Sequence, residues 1–489
     1  MDYDRDGELD IYVCLEDLGG RLFRGLGDLR FADATNGSGL GSSACRPAAA
    51  DYDGDGWTDL LLADSAASNR LMRNRGDGTF DDVTAAAGLP ERWMPTQAAL
   101  WFDYDNDGRL DLYLVNHGGI TRGNAPYSGD AVNGVPNRLF RQRPEGGFEE
   151  VPGAAGAADP RWGRGAVAFD YDGDGWQDLF VANDFGHSRL FRNRAGERFE
   201  DVTDRAGVRG FTHALGASTA DFDGDGRLDL LVSSFDRRWA PMPSLADPRP
   251  RTLVTGENMW MGEDRNVLMR CQLYRGLDDG TFEDVWESVV PPVYTGAAWN
   301  GTFFDMDNDG RQDILIVNGF HPDCLFYHGD RTLLLRYDPS RKAYADVSAR
   351  SGLDFPDSSR ASVIADFDDD GNLDVLVTGY GGPRLFRNES ASSSERGWLR
   401  IVLEGTRSNR EARGARVTVE CGGLRQVHAY GGFGGGFVSS FAGGLHVGLG
   451  DCRGPATVAV RWPSGGLATV VEKKLNRPLR IREDQGPPR

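Results

Sequence analysis

Lysine is nearly missing from this 489-residue chain: of its 54 basic residues only Lys342, Lys473 and Lys474 are lysines. The arginine bias reads as GC-rich coding, and hence a bacterial source, rather than as chemistry. No basic stripe appears, which argues against nucleic acid as a partner. No stretch approaches the ~18 apolar residues needed to cross a bilayer, so no membrane span is expected. Catalytic signatures are absent as well: there is no HExxH, GxSxG, Walker A loop or dinucleotide fingerprint. Long helical periodicity is missing, while glycine is abundant at 66 residues, a balance that suits a turn-dense β protein.

Six cysteines (Cys14, Cys45, Cys271, Cys324, Cys421, Cys452) are widely spaced with no CxxC. They read either as disulfides, with Cys421 and Cys452 the best candidate pair, or as buried thiols packed like small hydrophobes. The seven histidines (His117, His187, His213, His321, His328, His428, His446) are scattered. His321 and His328, with Asp323 nearby, could hold a transition metal, against the plainer reading of an ordinary polar loop. A leader is also missing. The chain opens Met1-Asp2-Tyr3-Asp4, inside a motif that elsewhere follows a strand, so the start reads as truncated or mis-started and says little about compartment.

What is present is one motif written seven times, Asp-x-Asp-x-Asp-Gly-x-x-Asp. Its carboxylates are Asp2, Asp4, Asp6 and Asp10; Asp51, Asp53, Asp55 and Asp59; Asp103, Asp105, Asp107 and Asp111; Asp170, Asp172, Asp174 and Asp178; Asp221, Asp223, Asp225 and Asp229; Asp305, Asp307, Asp309 and Asp313; and Asp366, Asp368, Asp370 and Asp374. Carboxylates at positions 1, 3 and 5 face the inside of a tight turn. Glycine at position 6 (Gly56 in the second copy) supplies the positive φ that lets the backbone double back. The carbonyl of Trp57 can then turn inward and Asp59 closes the cage. All-oxygen ligation by several carboxylates suits Ca²⁺, and no His or Cys sits inside any loop. An EF-hand would need a bidentate Glu at position 12, where this loop has Leu62 and no flanking helix. The expectation is therefore up to seven structural Ca²⁺ ions in loops between strands. Seven ions would bring the formal charge from −20 to about −6, so most of the acidity is ligand. Asp369, at position 4 of its loop, is spare and expected to face solvent.

The loops begin 49, 52, 67, 51, 84 and 61 residues apart. Around each, a Gly/Ala-rich strand leads in (97–102, 165–169, 217–220), a short apolar strand follows (178–183), then a third (70–74, 189–193) and a fourth (80–84, 198–203). Four short strands per unit of about 50 residues is the pattern of β-propeller blades, and seven units imply seven blades. The Arg-Leu-Phe-Arg-Asn third strands read as alternating core and rim rather than anion sites. Trp57, Trp176 and Trp299 read as packing between blades. The long intervals carry insertions at 118–136, 235–270 and 320–339, where recognition tends to lie on a rigid repeat. The last unit stops before its fourth strand and the first lacks its lead-in, so one blade is expected to be incomplete. Residues 1–389 thus form the repeat domain, 390–397 a polar linker, and 398–484 a separate small β domain without acidic loops.

The repeats resemble FG-GAP/VCBS propeller repeats. The C-terminal segment is similar to the ASPIC/UnbV domain in four phrases: Ser408-Asn409-Arg410, Gly414-Ala415-Arg416-Val417, Leu445-His446-Val447-Gly448-Leu449-Gly450 and Arg461-Trp462-Pro463-Ser464-Gly465. The pairing resembles the cartilage acidic protein family and its bacterial relatives. It departs from them at the Gly-rich stretch 431–436. The resemblance implies a calcium-loaded, secreted or envelope-associated binding or adhesion module, non-enzymatic, with a protein, glycan or small-molecule partner. It also implies an alternative: an accessory protein or enzyme of enediyne-type polyketide biosynthesis, which would be cytoplasmic. The fold expected is all-β, a seven-bladed propeller with calcium loops plus a small C-terminal β domain.

Overall fold

The computed structural model describes all residues except 16–18, 42–44, 66, 119–129, 236–269, 320–329, 356–358, 380, 391–395, 432–442 and 485–489. Three expectations lie outside the described residues: the His321–Asp323–His328 cluster, most of the three insertions, and nearly all of the Gly-rich stretch.

The described chain is all-β with almost no helix. Residues 1–389 form seven antiparallel meanders. Five have four strands, for example Trp162–Phe169, Asp178–Asp184, Arg189–Asn193 and Phe199–Asp201. The first and last have three: Ile11–Leu15 opens the first without a lead-in strand, and Arg384–Phe386 closes the last without a fourth.

Residue size sets the packing. The lead-in strands of adjoining sheets lie closest to one another, and there the side chains are small, such as Ala48 and Ala50, Ala166 and Ala168, Ala217 and Ala220. The second strands are buried along their whole length, as in Leu60–Leu61–Leu62 and Ile314–Leu315–Ile316. Larger rings fill the wider gaps further out, where Trp101 stacks on Tyr52 at 6.0 Å and donates its indole N–H to the Ala48 carbonyl at 3.2 Å. Each neighbouring pair of sheets shares one apolar cluster. The last sheet also meets the first: Ala365, Phe367 and Leu376 pack on Leu9, Ile11 and Phe31. The architecture is propeller-like.

One-turn helices, Thr203–Ala206, Trp286–Val289 and Ser348–Ser351, follow the fourth strands. The sequence pattern did not signal them, because four residues are too few to show a helical period. Their starts are held by the strand-end aspartate: Asp201 accepts from the Thr203 N–H at 3.0 Å and Asp346 from the Ser348 N–H at 2.9 Å.

The C-terminal segment is a two-sheet sandwich. Gly397–Glu404 runs between Leu445–Gly450 and a parallel Arg477–Arg482. Opposite it stand Leu424–Ala429, Arg416–Cys421, Ala456–Arg461 and Leu467–Glu472. All seven expected strands are present, and both sheets contribute to one core around Leu399, Val417, Val458 and Trp462. Cys421 and Cys452 form a disulfide, and so do Cys14 and Cys45, which the sequence reading left unpaired. Cys271 is a buried free thiol.

Candidate cation loops and the domain docked on them

Every acidic loop turns on two left-handed residues. Position 6 is glycine throughout, at φ from 79° (Gly310) to 96° (Gly7 and Gly175). Position 4 is left-handed as well, in Gly54, Gly173 and Gly224 but also in Arg5, Asn106, Asn308 and Asp369 at φ of 53–58°. The enrichment of Gly and Asn at position 4 was the available signal for this second turn.

The four carboxylates take different parts. At position 1, Oδ2 of Asp2, Asp51, Asp103, Asp170, Asp221, Asp305 and Asp366 accepts the position-6 glycine N–H at 2.7–3.2 Å. In Asp2, Asp51, Asp170, Asp221 and Asp366 the other oxygen, Oδ1, is buried with no hydrogen-bond partner. Position 9 is a staple. Asp10, Asp59, Asp111, Asp178, Asp229, Asp313 and Asp374 each accept one N–H from position 2 of the loop and one from the third strand or the residues just after it, at 2.7–3.3 Å.

Positions 3 and 5 face an arginine. Arg24, Arg73, Arg141, Arg192, Arg336 and Arg387 each span the two carboxylates at 2.6–3.4 Å. This corrects the reading of the third strands as plain core and rim. The second arginine of Arg-Leu-Phe-Arg-Asn alternates outward, as expected, but outward here means onto the loop. A separation of 18 residues from position 5 recurs in three loops and would have revealed it.

Burial dominates the electrostatics. It pushes the position-1 carboxyls of Asp51, Asp103 and Asp366 up to about 7 and those of Asp170 and Asp221 to about 6. At position 9 it raises Asp59 to about 8, and Asp111, Asp178, Asp229 and Asp313 well above the usual carboxylate range. Each pocket therefore holds more negative charge than its protein neighbours balance. Three carboxylate oxygens come within 4.8 Å of one another in Asp2/Asp4/Asp6, Asp51/Asp53/Asp59, Asp103/Asp105/Asp111, Asp170/Asp172/Asp178 and Asp221/Asp223/Asp225. Orphaned buried oxygens, converging carboxylates and hard donors fit a divalent cation of the Ca²⁺ type.

Comparison with known proteins follows this geometry closely. The FG-GAP-like repeat family matches residues 2–62, 51–114, 170–232 and 262–316, and the ASPIC and UnbV family matches 405–488. The chain belongs to the FG-GAP-repeat proteins that end in an ASPIC/UnbV domain. It is homologous to cartilage acidic protein 1, at 24% identity over 403 residues to that of Mus musculus (78% of this chain, 53% of that protein). Identity to that of Homo sapiens is 26% over 403 residues (78% of this chain, 52% of that protein). The chain thus spans about half the length of these relatives. Among solved structures, BBS1N in complex with ARL6DN aligns over 80% of this chain and 91% of that one, at 8% identity and a TM-score of 0.44.

The ASPIC/UnbV domain sits on the acidic loops, and the phrases that mark it make the contacts. From Ser408-Asn409-Arg410, Arg410 Nε lies 3.3 Å from Asp51 Oδ2, and the Asn409 side chain hydrogen-bonds Asp103. The Asp51 N–H donates to Glu411 at 3.1 Å. From Gly414-Ala415-Arg416, Arg416 donates to the Gly226 carbonyl. From Arg461-Trp462-Pro463, Arg461 donates to the carbonyls of Gly173 at 2.8 Å and Asp174 at 3.0 Å. From Leu445-His446-Val447-Gly448, His446 Nε2 meets Asn308 Oδ1 at 2.7 Å. Gly448 is pressed so closely on the sixth loop that a Cβ there would stand 2.0 Å from Asp305 Oδ2.

Two arginines outside those phrases complete the contact. Arg396 reaches Asp307 at 2.6 Å, and Arg400 pairs with Asp369. Asp369 is 57% exposed, facing solvent as expected, but it has this partner. Among the described residues, six of the seven loops touch the domain through these side chains. The tryptophans sort differently. Trp57 lies under the Arg5 guanidinium of the first loop, 4.4 Å from it, and Trp299 lies 3.9 Å beneath Arg360 of the next sheet.

Proposed function

We propose that this protein is a calcium-stabilised, seven-bladed propeller that serves as a binding or assembly module, with its ASPIC/UnbV domain locked over the cation face. The observation that carries this reading is the run of side chains from the domain's own signature phrases onto six acidic loops. Seven meanders in chain order, with a shared core between the last and the first, support a closed ring. The orphaned position-1 oxygens support Ca²⁺ as the missing charge. Covering one face with an intramolecular domain leaves the other face and the rim for partners. Two disulfides support an oxidising location outside the cytoplasm; no helix among the described residues is long and apolar enough to cross a membrane.

Because an ion bound only by the folded state stabilises it by mass action, chelation tests the proposal. Excess EDTA should lower the melting temperature by many degrees and added Ca²⁺ should restore it. An unchanged melt, together with no Ca²⁺ retained after desalting, refutes structural calcium.

A further inference from the structure

The lead-in strands carry a device at the end remote from the acidic loops. Five of them shift register against their second strand at the same place: between Thr96 and Ala98, Gly163 and Gly165, Ala214 and Gly216, Ala298 and Asn300, and Ser359 and Ala361. The extra residues are Gln97, Arg164, Leu215, Trp299 and Arg360. A bulge leaves its residue unpaired and re-aims the side chain, and bulges recur beside functional sites. Five at one register, on the innermost strands, turn five side chains toward the axial mouth.

Those side chains meet across sheets. Arg164 donates to Gln97 Oε1 of the preceding sheet at 3.3 Å, and Arg360 lies face-on over Trp299 at 3.9 Å. Behind Arg164 stands Asp184, 1% exposed, which takes the guanidinium at 3.0 and 3.1 Å and His213 Nδ1 at 2.8 Å. The Asp184 charge is thereby matched within the protein. His117 is 2% exposed, and its Nε2 has no hydrogen-bond partner, its nearest carboxylate oxygen being 3.9 Å away. Phe235 joins the two halves of the mouth, 6.1 Å from His213 and 5.5 Å from Trp299.

We infer that this mouth is a binding site for a small aromatic or otherwise planar anion, a carboxylate or sulfonate. The planar guanidinium of Arg360 matches such an anion bidentately, Trp299 and Phe235 offer faces to its rings, and the buried, unpaired His117 nitrogen waits as a further polar contact. The site rests on the ring arrangement proposed above but not on the cations, which concern the opposite face.

The probe is 8-anilinonaphthalene-1-sulfonate, titrated by fluorescence into the full chain in Ca²⁺. Expected is one saturable site that weakens at least tenfold in Arg360→Gln with the melt unchanged. Gln97→Glu, which sets a carboxylate beside Arg164, should weaken it similarly and serves if Arg360→Gln does not fold. Gly448→Ala, on the far face, should leave it unaltered. No saturable binding, or equal affinity in wild type and both mouth variants, overturns the inference. The EDTA melt reads the loops and the dye titration reads the mouth, so either can fail without the other.

Discussion

Glu483 is the residue on which the docking geometry can be weighed. Its carboxylate is buried at the end of the last strand, Arg477–Arg482, and accepts the N–H groups of Thr406, Arg407 and Ser408 at 2.8, 2.7 and 2.9 Å, plus the hydroxyls of Ser408 and Ser464. Burial works against the charge, but the converging donors outweigh it and pull the carboxyl down to about 2 from 4.5. Glu483→Gln keeps the volume, halves the acceptor capacity and turns an amide N–H₂ toward the same donors. Charge-assisted bonds contribute more than neutral ones, and stranded buried donors cost about 1–3 kcal/mol each, so a loss of about 3 kcal/mol at pH 7 is expected.

The pH dependence follows from the depressed carboxyl. Its contribution is fully present above the unfolded value near 4.5 and is lost as pH falls from there through about 2. Denaturant melts of wild type and Glu483→Gln, compared from pH 7 to pH 2.5, should therefore converge at the acid end. Taking the difference between the two proteins cancels the other carboxylates. The same turn carries Asn409 and Arg410 onto the second and third loops, so the variant should also loosen the domain to limited proteolysis. A stability difference below about 0.5 kcal/mol at pH 7, or one that does not shrink in acid, would refute the assignment.

Two further outcomes test the loops and their cover. Gly448→Ala puts a methyl where Asp305 Oδ2 stands 2.0 Å away; it should release the ASPIC/UnbV domain, seen as an increased radius of gyration in small-angle scattering, with both cores still folded by circular dichroism. Asp178→Ala removes the acceptor of the Tyr171 and Asn193 N–H groups. Measured in EDTA, where ligation plays no part, it should cost about 2–5 kcal/mol, whereas a loss under 1 kcal/mol would mean position 9 is only a ligand.

How far the fold was legible follows from particular elements. The spacing of Asp, Gly and apolar residues located every described meander, because a period-2 strand and a glycine turn are local properties. The Trp398–Ile481 region yielded its seven strands for the same reason. The one-turn helices, the second left-handed residue and the arginine forks were less legible: each recurs in the sequence, but only a contact across strands gives it meaning.

The sequence by itself determined the repeat, its acidic turns and the presence of two kinds of domain, since each rests on residues within about fifty positions of one another. Tertiary structure decided what those residues do. Cys14 found Cys45, and Arg410 reached Asp51 across 359 positions. The bulged residues of five separate strands came to one mouth. The physical reason is that a propeller orders its sheets around an axis, so positions equivalent in every repeat but distant in sequence become neighbours at its two ends. At one end that gathers carboxylates under a second domain; at the other it gathers arginine, tryptophan and histidine.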